Sequence, residues 1–276
     1  MSISAKDVMK LREATGAGMM DCKKALTEAD GDFDRAVEIL RKKGQQVSEK
    51  RADREANQGL ILINISDDHS KAAAIEVNCE TDFVARNDDF QASAQSFLDV
   101  AFEKEIGSID ELKQQEIDGL TIDKHLDEMV GKIGEKIKIG RVLFIESSGD
   151  LVKYIHPGNQ LGVIVEFESS IDDADVAKDV AMQIAAMNPL AVTRDGVDTS
   201  IVEKELEIAK EQLLNEGKPA EIAEKASQGK LRRFYEERVL LEQKFVKDNG
   251  ISVKEYLEQN DAPLVRSYHR LQLGEA

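Results

Sequence analysis

The apolar period of this chain changes at Gly59, and the change limits what it can fold into. Before Gly59, apolar side chains return every three or four residues: Val8 and Leu11, then Met19, Cys22, Ala25 and Leu26, then Phe33, Ala36, Val37 and Leu40. After it, Leu60-Ile61-Leu62-Ile63-Asn64-Ile65 and Ala73-Ala74-Ile75-Glu76-Val77, separated by the polar Asp67-Asp68-His69, carry the pattern of a strand hairpin. A helical unit must therefore precede a sheet-containing one. Ser4 with Asp7 reads as a capping box that opens the first helix, Thr15-Gly16 as its end, and Asp32, after the Asp30-Gly31 turn, as the cap of the third. Three helices this short bury little apolar surface, so the unit is expected to act as a docking head on a larger body. Residues 41–58 read as its tether, with six basic and two acidic side chains between 41 and 54 and no sustained apolar period. That tether is either a solvated linker or a basic strip steering toward RNA or an acidic partner.

The order of hairpin then helix recurs. The first hairpin leads through Asn78-Cys79-Glu80-Thr81-Asp82-Phe83 to a helix with Phe90, Ala94, Phe97 and Ala101 on one face. Residues 141–146 and 161–167 flank a loop holding Tyr154, His156 and Pro157, and a helix over 172–187 follows. Two related α+β units are expected, with residues 151–155 as an added strand and the alternation over 264–271 closing the second sheet at its edge. Between the helix of the second unit and its last strand, residues 199–245 are mostly strong helix formers. Val202, Leu206, Ala209 and Leu213 form one stripe, Ile222, Ala226 and Phe234 an opposing one, and Gly217-Lys218-Pro219 marks the connection of a projecting antiparallel helical hairpin. Ser252 with Glu255 caps one more short helix. The expected class is α+β. Residues 1–55 form the bundle and linker, 56–140 the first core subdomain, and 141–276 the second, with the hairpin inserted at about 199–245.

Composition excludes several functions. Against 37 Lys and Arg stand 54 Asp and Glu, a net charge of −17, while the first 55 residues hold 12 basic and 11 acidic side chains, so the acidity lies in the remainder. Such a surface does not wrap DNA or RNA, since affinity for phosphate comes from Lys and Arg; a protein or a cationic partner fits better. Cys22 and Cys79 are the only cysteines, too few for a disulfide framework or a zinc site. With no apolar run near 18 residues and no basic-then-apolar start, a cytoplasmic protein without a membrane segment is expected.

Motifs for chemistry are missing too. Gly16-Ala17-Gly18-Met19-Met20-Asp21 ends in Asp and follows a helix where a dinucleotide loop follows a strand, and no phosphate-cradling Gly-x-x-x-x-Gly-Lys-Ser/Thr is present. Asp172, Asp173 and Asp175 fit a helix start better than a calcium loop. The histidines at 69, 125, 156 and 269 are scattered. A hydrolase built on Asp67, Asp68 and Glu80 would lack an enclosed acid–base pair. No enzyme, cofactor, metal or direct nucleotide binding is expected.

Three places admit an interaction role. Phe83 either covers the local core while Asp82 caps a helix, or the pair is an exposed aromatic wedge with an adjacent carboxylate, built to enter a partner. Met19 and Met20 are adjacent and cannot both face the bundle core; one is expected inside and at least one available to a partner. His156, in Tyr154-Ile155-His156-Pro157-Gly158, is either structural or presented outward by a turn.

Thr15-Gly16-Ala17-Gly18-Met19-Met20-Asp21-Cys22-Lys23-Lys24-Ala25-Leu26 and Asn78-Cys79-Glu80-Thr81-Asp82-Phe83-Val84-Ala85-Arg86-Asn87 resemble the two signature segments of the bacterial elongation factor Ts family. The resemblance extends over nearly the whole chain, including Gly217-Lys218-Pro219, Ile222-Ala223-Glu224-Lys225 and the stretch ending in Phe245-Val246. It implies a guanine nucleotide exchange factor for elongation factor Tu, bound in its GDP-loaded and nucleotide-free forms. It also implies a ubiquitin-associated (UBA)-like bundle, two related core subdomains and a protruding coiled-coil hairpin. By the same resemblance, Thr81, Asp82, Phe83 and Val84 enter between two helices of the GTPase domain beside its magnesium and phosphate site. His156 adds to the insertion, and Ile133-Gly134 lie on the same contact surface. Arg12, Met19 and Met20 grip another helix of that domain, and Phe245, Val246 and Lys247 touch the partner's third domain. Some members continue past the position of Gly274-Glu275-Ala276 with a further helix, whose absence is expected to weaken the complex. The rival expectation is an adaptor that binds without changing nucleotide release.

Overall fold

The capping box opens the chain as its residues dictate. In the computed structural model, which describes residues 3–275, Ser4 accepts the Asp7 N–H and Asp7 accepts the Ser4 N–H. Ala276, on which the expected terminus ends, lies outside the described residues. Helix α1 (Ala5–Thr15) runs until Gly16 turns left-handed at φ 66°. With α2 (Met19–Glu28) and α3 (Phe33–Arg51), it buries Val8, Leu11, Cys22, Ala25, Leu26 and Ala36. The expected tether is corrected here: residues 41–51 are the second half of α3, a single helix of 19 residues and so about 28 Å long.

The chain continues through β1 (Gln58–Ile65), β2 (Lys71–Cys79), α4 (Asp82–Ala85), α5 (Asp88–Glu103), α6 (Ile109–Lys113), β3 (Glu116–Ile117), β4 (Leu120–Thr121), α7 (Ile122–Ile133) and β5 (Ile137–Glu146). The far half of α3 is helical because it has a packing partner. It crosses α7 at Gly44 and Gly131, and Arg41 pairs with Glu128 at 2.7 Å. In the first sheet β2 lies between β1 and β5, antiparallel to both. The placing of residues 141–146 in the second unit is corrected: their register, from Lys71↔Glu146 to Cys79↔Ile137, puts them in the first. A central strand buried on both faces needs hydrogen-bond partners along both edges, and β5 supplies the second.

The second half comprises β6 (Leu151–Ile155), β7 (Leu161–Phe167), α8 (Ala174–Met187), α9 (Thr199–Asn215), α10 (Ala220–Arg238), β8 (Lys244–Phe245), β9 (Asp248–Ser252), α11 (Val253–Gln259) and β10 (Val265–Gln272). Its sheet has the order β10-β7-β6, with β10 at an edge as its alternation requires. The two sheets meet face to face. Phe90, Ala94 and Phe97 of α5 cover Ala73, Ile75 and Val77 on one side of the first sheet. On its other side Ile61, Ile63, Ala72 and Ala74 pack against Leu151, Ile164 and Leu271. Helix α8 covers Val163, Val165 and Phe167 beyond. The result is a helix–sheet–sheet–helix sandwich, in which the period-2 alternation of each strand serves two cores at once.

Helices α9 and α10 form the expected hairpin and pack chiefly on each other, with Gly217 at φ 82° in the connection. The α10 seam is corrected by one residue at its outer end, while Phe234 packs with Val202 in one cluster around Val239. Ala223 and Ser227 are buried against the α9 stripe of Ala209 and Leu213, whereas Ile222 is exposed. Small side chains at the seam let the two backbones close, and a branched Ile at that position would hold them apart.

Candidate partner-binding site

Helix α4 is a single turn that follows directly from the end of β2. Its N-cap is Thr81, in extended conformation, rather than Asp82. Asp82 occupies the first turn and pairs with Arg86 at 2.9 Å. Phe83 is 80% exposed, which corrects the reading of it as a cover for the local core. Val84 and Ala85 turn inward instead and pack against the first core. Successive residues on a helix are rotated by about 100°, so turning both Val84 and Ala85 inward leaves Phe83 on the outer side of the turn. Beneath the turn, Cys79 donates to the Thr81 carbonyl at 3.1 Å. Burial and the nearby Glu135 carboxylate push its thiol up to about 12, so it is not a nucleophile.

The loop after α7 braces this turn. Gly134 closes the helix in left-handed conformation at φ 79°, beside the half-buried Ile133, and Glu135 then reaches Thr81. The Glu135 carboxylate accepts the Thr81 N–H at 3.0 Å and the Thr81 hydroxyl at 2.8 Å. Ile133-Gly134 and the Thr81–Val84 turn thus share one surface. His156 comes to the same end of β1: Asn159 accepts the Ile61 N–H at 2.7 Å, while Gln58 pairs with Cys79. His156 lines a cleft with Asn57 and Gln58, and its Nδ1 lies 3.0 Å from the Tyr154 hydroxyl.

On the bundle, Arg12 is exposed, Met19 is 50% exposed and Met20 64%. The expectation that one Met faces the bundle core is corrected: both sit in the first turn of α2, ahead of the buried Cys22, Ala25 and Leu26. Phe245 also departs from its expected contact role. It is 3% exposed and stacked on Tyr256 with ring centroids 4.0 Å apart, so this segment presents only Val246 and Lys247 outward. Lys247 pairs with Asp179, and the Val246 N–H donates to Gln183 at 2.9 Å.

Some supporting residues carry no signal of their role in the sequence. Glu80 accepts the Lys136 N–H and a guanidinium N–H of Arg51, both at 2.7 Å, and one from Arg54 at 3.1 Å. Burial alone would raise its pKa; these donors outweigh burial and bring it down to about 2. So held, Glu80 is no proton shuttle near neutrality, and Asp68 accepts from Ser66 and Ser70 inside a turn. Glu135, Lys136 and Gln183 give no local signal because their partners lie 54 to 84 residues away. Among the described residues no cluster of three or more His, Cys, Asp or Glu is placed to hold a metal ion, and no helix is long and apolar enough to cross a membrane.

The family model described as elongation factor TS matches residues 80–275, a span that includes α4, the Glu135 brace, β5 of the first sheet and all three strands of the second. The chain belongs to the elongation factor Ts family. A protein named Elongation factor Ts from Amoebophilus asiaticus is 48% identical over 277 residues, covering 99% of this chain and 100% of that protein. One from Christiangramia forsetii is 46% identical with 99% of each covered, and one from Hydrogenovibrio crunogenus is 47% identical over 100% of this chain and 92% of its own length. Membership of the elongation factor Ts family makes this chain a factor of translation elongation. The bundle helices α1 to α3 lie outside the family-model match but inside these nearly full-length alignments.

Proposed function

We propose that this chain is a guanine nucleotide exchange factor for elongation factor Tu, with Asp82 and Phe83 as the group that disturbs the partner's nucleotide site. The observation that carries the reading is Phe83: a large aromatic ring, 80% exposed, on a one-turn helix whose cap is tied to a neighbouring loop. An unpacked aromatic ring on a fixed base has the character of an interface anchor. Family membership supplies the partner.

The mechanism is displacement rather than covalent chemistry. The GTPase holds Mg²⁺ in near-octahedral oxygen coordination, which couples the nucleotide phosphates to the protein. A wedge that shifts a helix supporting that site weakens both. Binding free energies are reciprocal, so a factor that lowers affinity for GDP binds the empty GTPase more tightly than the loaded one. GDP leaves, GTP enters from the larger pool, and its binding favours release of the factor. In this reading Arg12, Met19 and Met20 grip the GTPase domain from the bundle, His156 and Ile133-Gly134 extend the wedge surface, and Val246 and Lys247 touch the partner's third domain.

The test is stopped-flow release of a fluorescent GDP analogue from elongation factor Tu, with this protein and with its Phe83→Ala variant. Strong acceleration by the wild type that the substitution blunts supports exchange and its wedge. Binding without acceleration would move the function to an adaptor.

A further inference from the structure

Helix α4 has four residues, too few to hold a helical shape by itself, because the first turn of a helix costs more order than its single hydrogen bond returns. Nor does packing orient the Phe83 ring, which stands in solvent. Its direction is set by the backbone of the turn, which Val84 and Ala85 seat on the core and which the cap, held from outside, fixes at its start. Thr81 gives both its N–H and its hydroxyl to Glu135. One residue earlier, Glu80 takes the Lys136 N–H together with Arg51 and Arg54. Lys136 closes the ring: its ammonium reaches the carbonyl of Arg54 at 2.7 Å and that of Ala52. Residues 80–81, residues 135–136 and the C-terminal end of α3 thus form one polar node. Through α3 the node is continuous with the bundle that carries Arg12, Met19 and Met20.

We infer that Glu135 and Glu80 are positioning residues of the exchange wedge, fixing the aim of Phe83 relative to the bundle so that the two contact sites meet the GTPase as one template. This rests on the reading of Asp82 and Phe83 as the wedge. Two carboxylates tied to backbone N–H groups, a hydroxyl and guanidiniums suit the task, since charge-assisted hydrogen bonds are short and directional. A looser node leaves every partner-touching side chain in place. Its loss therefore affects the maximal rate of nucleotide release, which depends on where the wedge arrives, more than the concentration of factor needed, which depends on total contact.

The experiment follows release of a fluorescent GDP analogue from elongation factor Tu over a range of factor concentrations, using full-length wild type, Phe83→Ala, Glu135→Ala, Glu135→Gln and Thr81→Ala. Loss of two hydrogen bonds to a carboxylate is expected to lower the maximal rate of Glu135→Ala about tenfold or more. Its half-saturating concentration is expected to stay within about threefold of wild type, as the contact surface is unchanged. Glu135→Gln keeps one carbonyl oxygen as acceptor and should recover part of the rate. Thr81→Ala removes the hydroxyl from the other side of the same contact and must show the same loss of maximal rate, its half-saturating concentration being left out of the comparison because Thr81 belongs to the wedge, which keeps the test decisive if Glu135→Ala does not fold. A wild-type maximal rate in both Glu135→Ala and Thr81→Ala, or rate and half-saturation impaired alike with no recovery in Glu135→Gln, overturns the positioning role. Failure of the parent reading looks different: either the wild type does not accelerate release, or Phe83→Ala matches it.

Discussion

Gly44 of α3 and Gly131 of α7 cross with their backbones in contact: a Cβ on Gly131 would stand 2.7 Å from the Gly44 Cα, and one on Gly44 would stand 2.8 Å from the Asp127 carbonyl oxygen. Neither approach leaves room for a methyl group, and both obstacles are backbone. The crossing is what docks the bundle on the first core subdomain, and it accounts for a glycine within a helix where alanine would favour the helix by about 1 kcal/mol.

Gly44→Ala is accordingly expected to destabilise the protein by about 1–3 kcal/mol despite the better helix former, because the helices must move apart. Gly229→Ala is the control. That glycine lies in α10, and a methyl group added to it would meet nothing within 4 Å, so the same substitution should stabilise by up to about 1 kcal/mol. Urea unfolding of the two variants measures both, and equal stabilisation would remove the close crossing from the account.

Phe245 and Val246 separate packing from contact in one dipeptide. Phe245 is buried and stacked on Tyr256, so Phe245→Ala should cost about 3–5 kcal/mol of stability. Val246→Ala, at a half-exposed position, should change stability by less than about 0.5 kcal/mol. Thermal and denaturant unfolding give the comparison. A Phe245→Ala protein as stable as wild type would mean that the ring does not live in the core.

Much of this fold is legible in the sequence because its signals are local. The Ser4 and Ser252 capping boxes, the alternation in β1, β2 and β10, and the Gly217 connection each depend on residues a few positions apart. The features that the sequence hides depend on distant partners. The far half of α3 shows no apolar stripe because its contact with α7 is made by a glycine, and the alternation of β5 is silent about which sheet it joins. Helix α7 is a different case, since Ile122, Leu126, Met129 and Val130 mark its buried face at helical spacing and the sequence reading passes over them. At the site, the signature segments locate Phe83, Met19 and Met20. Exposure of both methionines, burial of Phe245 and the brace from Glu135 are properties of the packed chain alone.

Met19 and Met20 stand clear of the bundle core, so their loss should be felt in binding and not in folding. The double variant Met19→Ala/Met20→Ala is expected to unfold within about 0.5 kcal/mol of wild type. Its affinity for nucleotide-free elongation factor Tu should fall about tenfold or more, as for truncation of apolar anchors at an interface. Calorimetric titration reads the affinity directly. Unchanged affinity would take the bundle out of the contact surface.

Glu80 gives the pH dependence of the polar node a definite sign. Burial would raise its pKa, but the Lys136 N–H and the Arg51 and Arg54 guanidiniums prevail and lower it from 4.5 to about 2 in the folded protein. A carboxylate whose pKa is depressed by folding binds its proton more readily in the unfolded chain, so its contribution is complete above the unfolded value and disappears as pH falls through the folded one. The relevant window runs from 4.5 down to about 2. Glu80→Gln removes the charge at every pH and should be less stable than wild type near neutrality, with the gap narrowing steadily once the pH drops below that upper limit. Urea midpoints for the two proteins at about pH 7, 4 and 3 measure the gap, and other carboxylates cancel in the difference. A gap that stays constant down to the lowest pH would show that the charge of Glu80 is not what holds Lys136, Arg51 and Arg54 together.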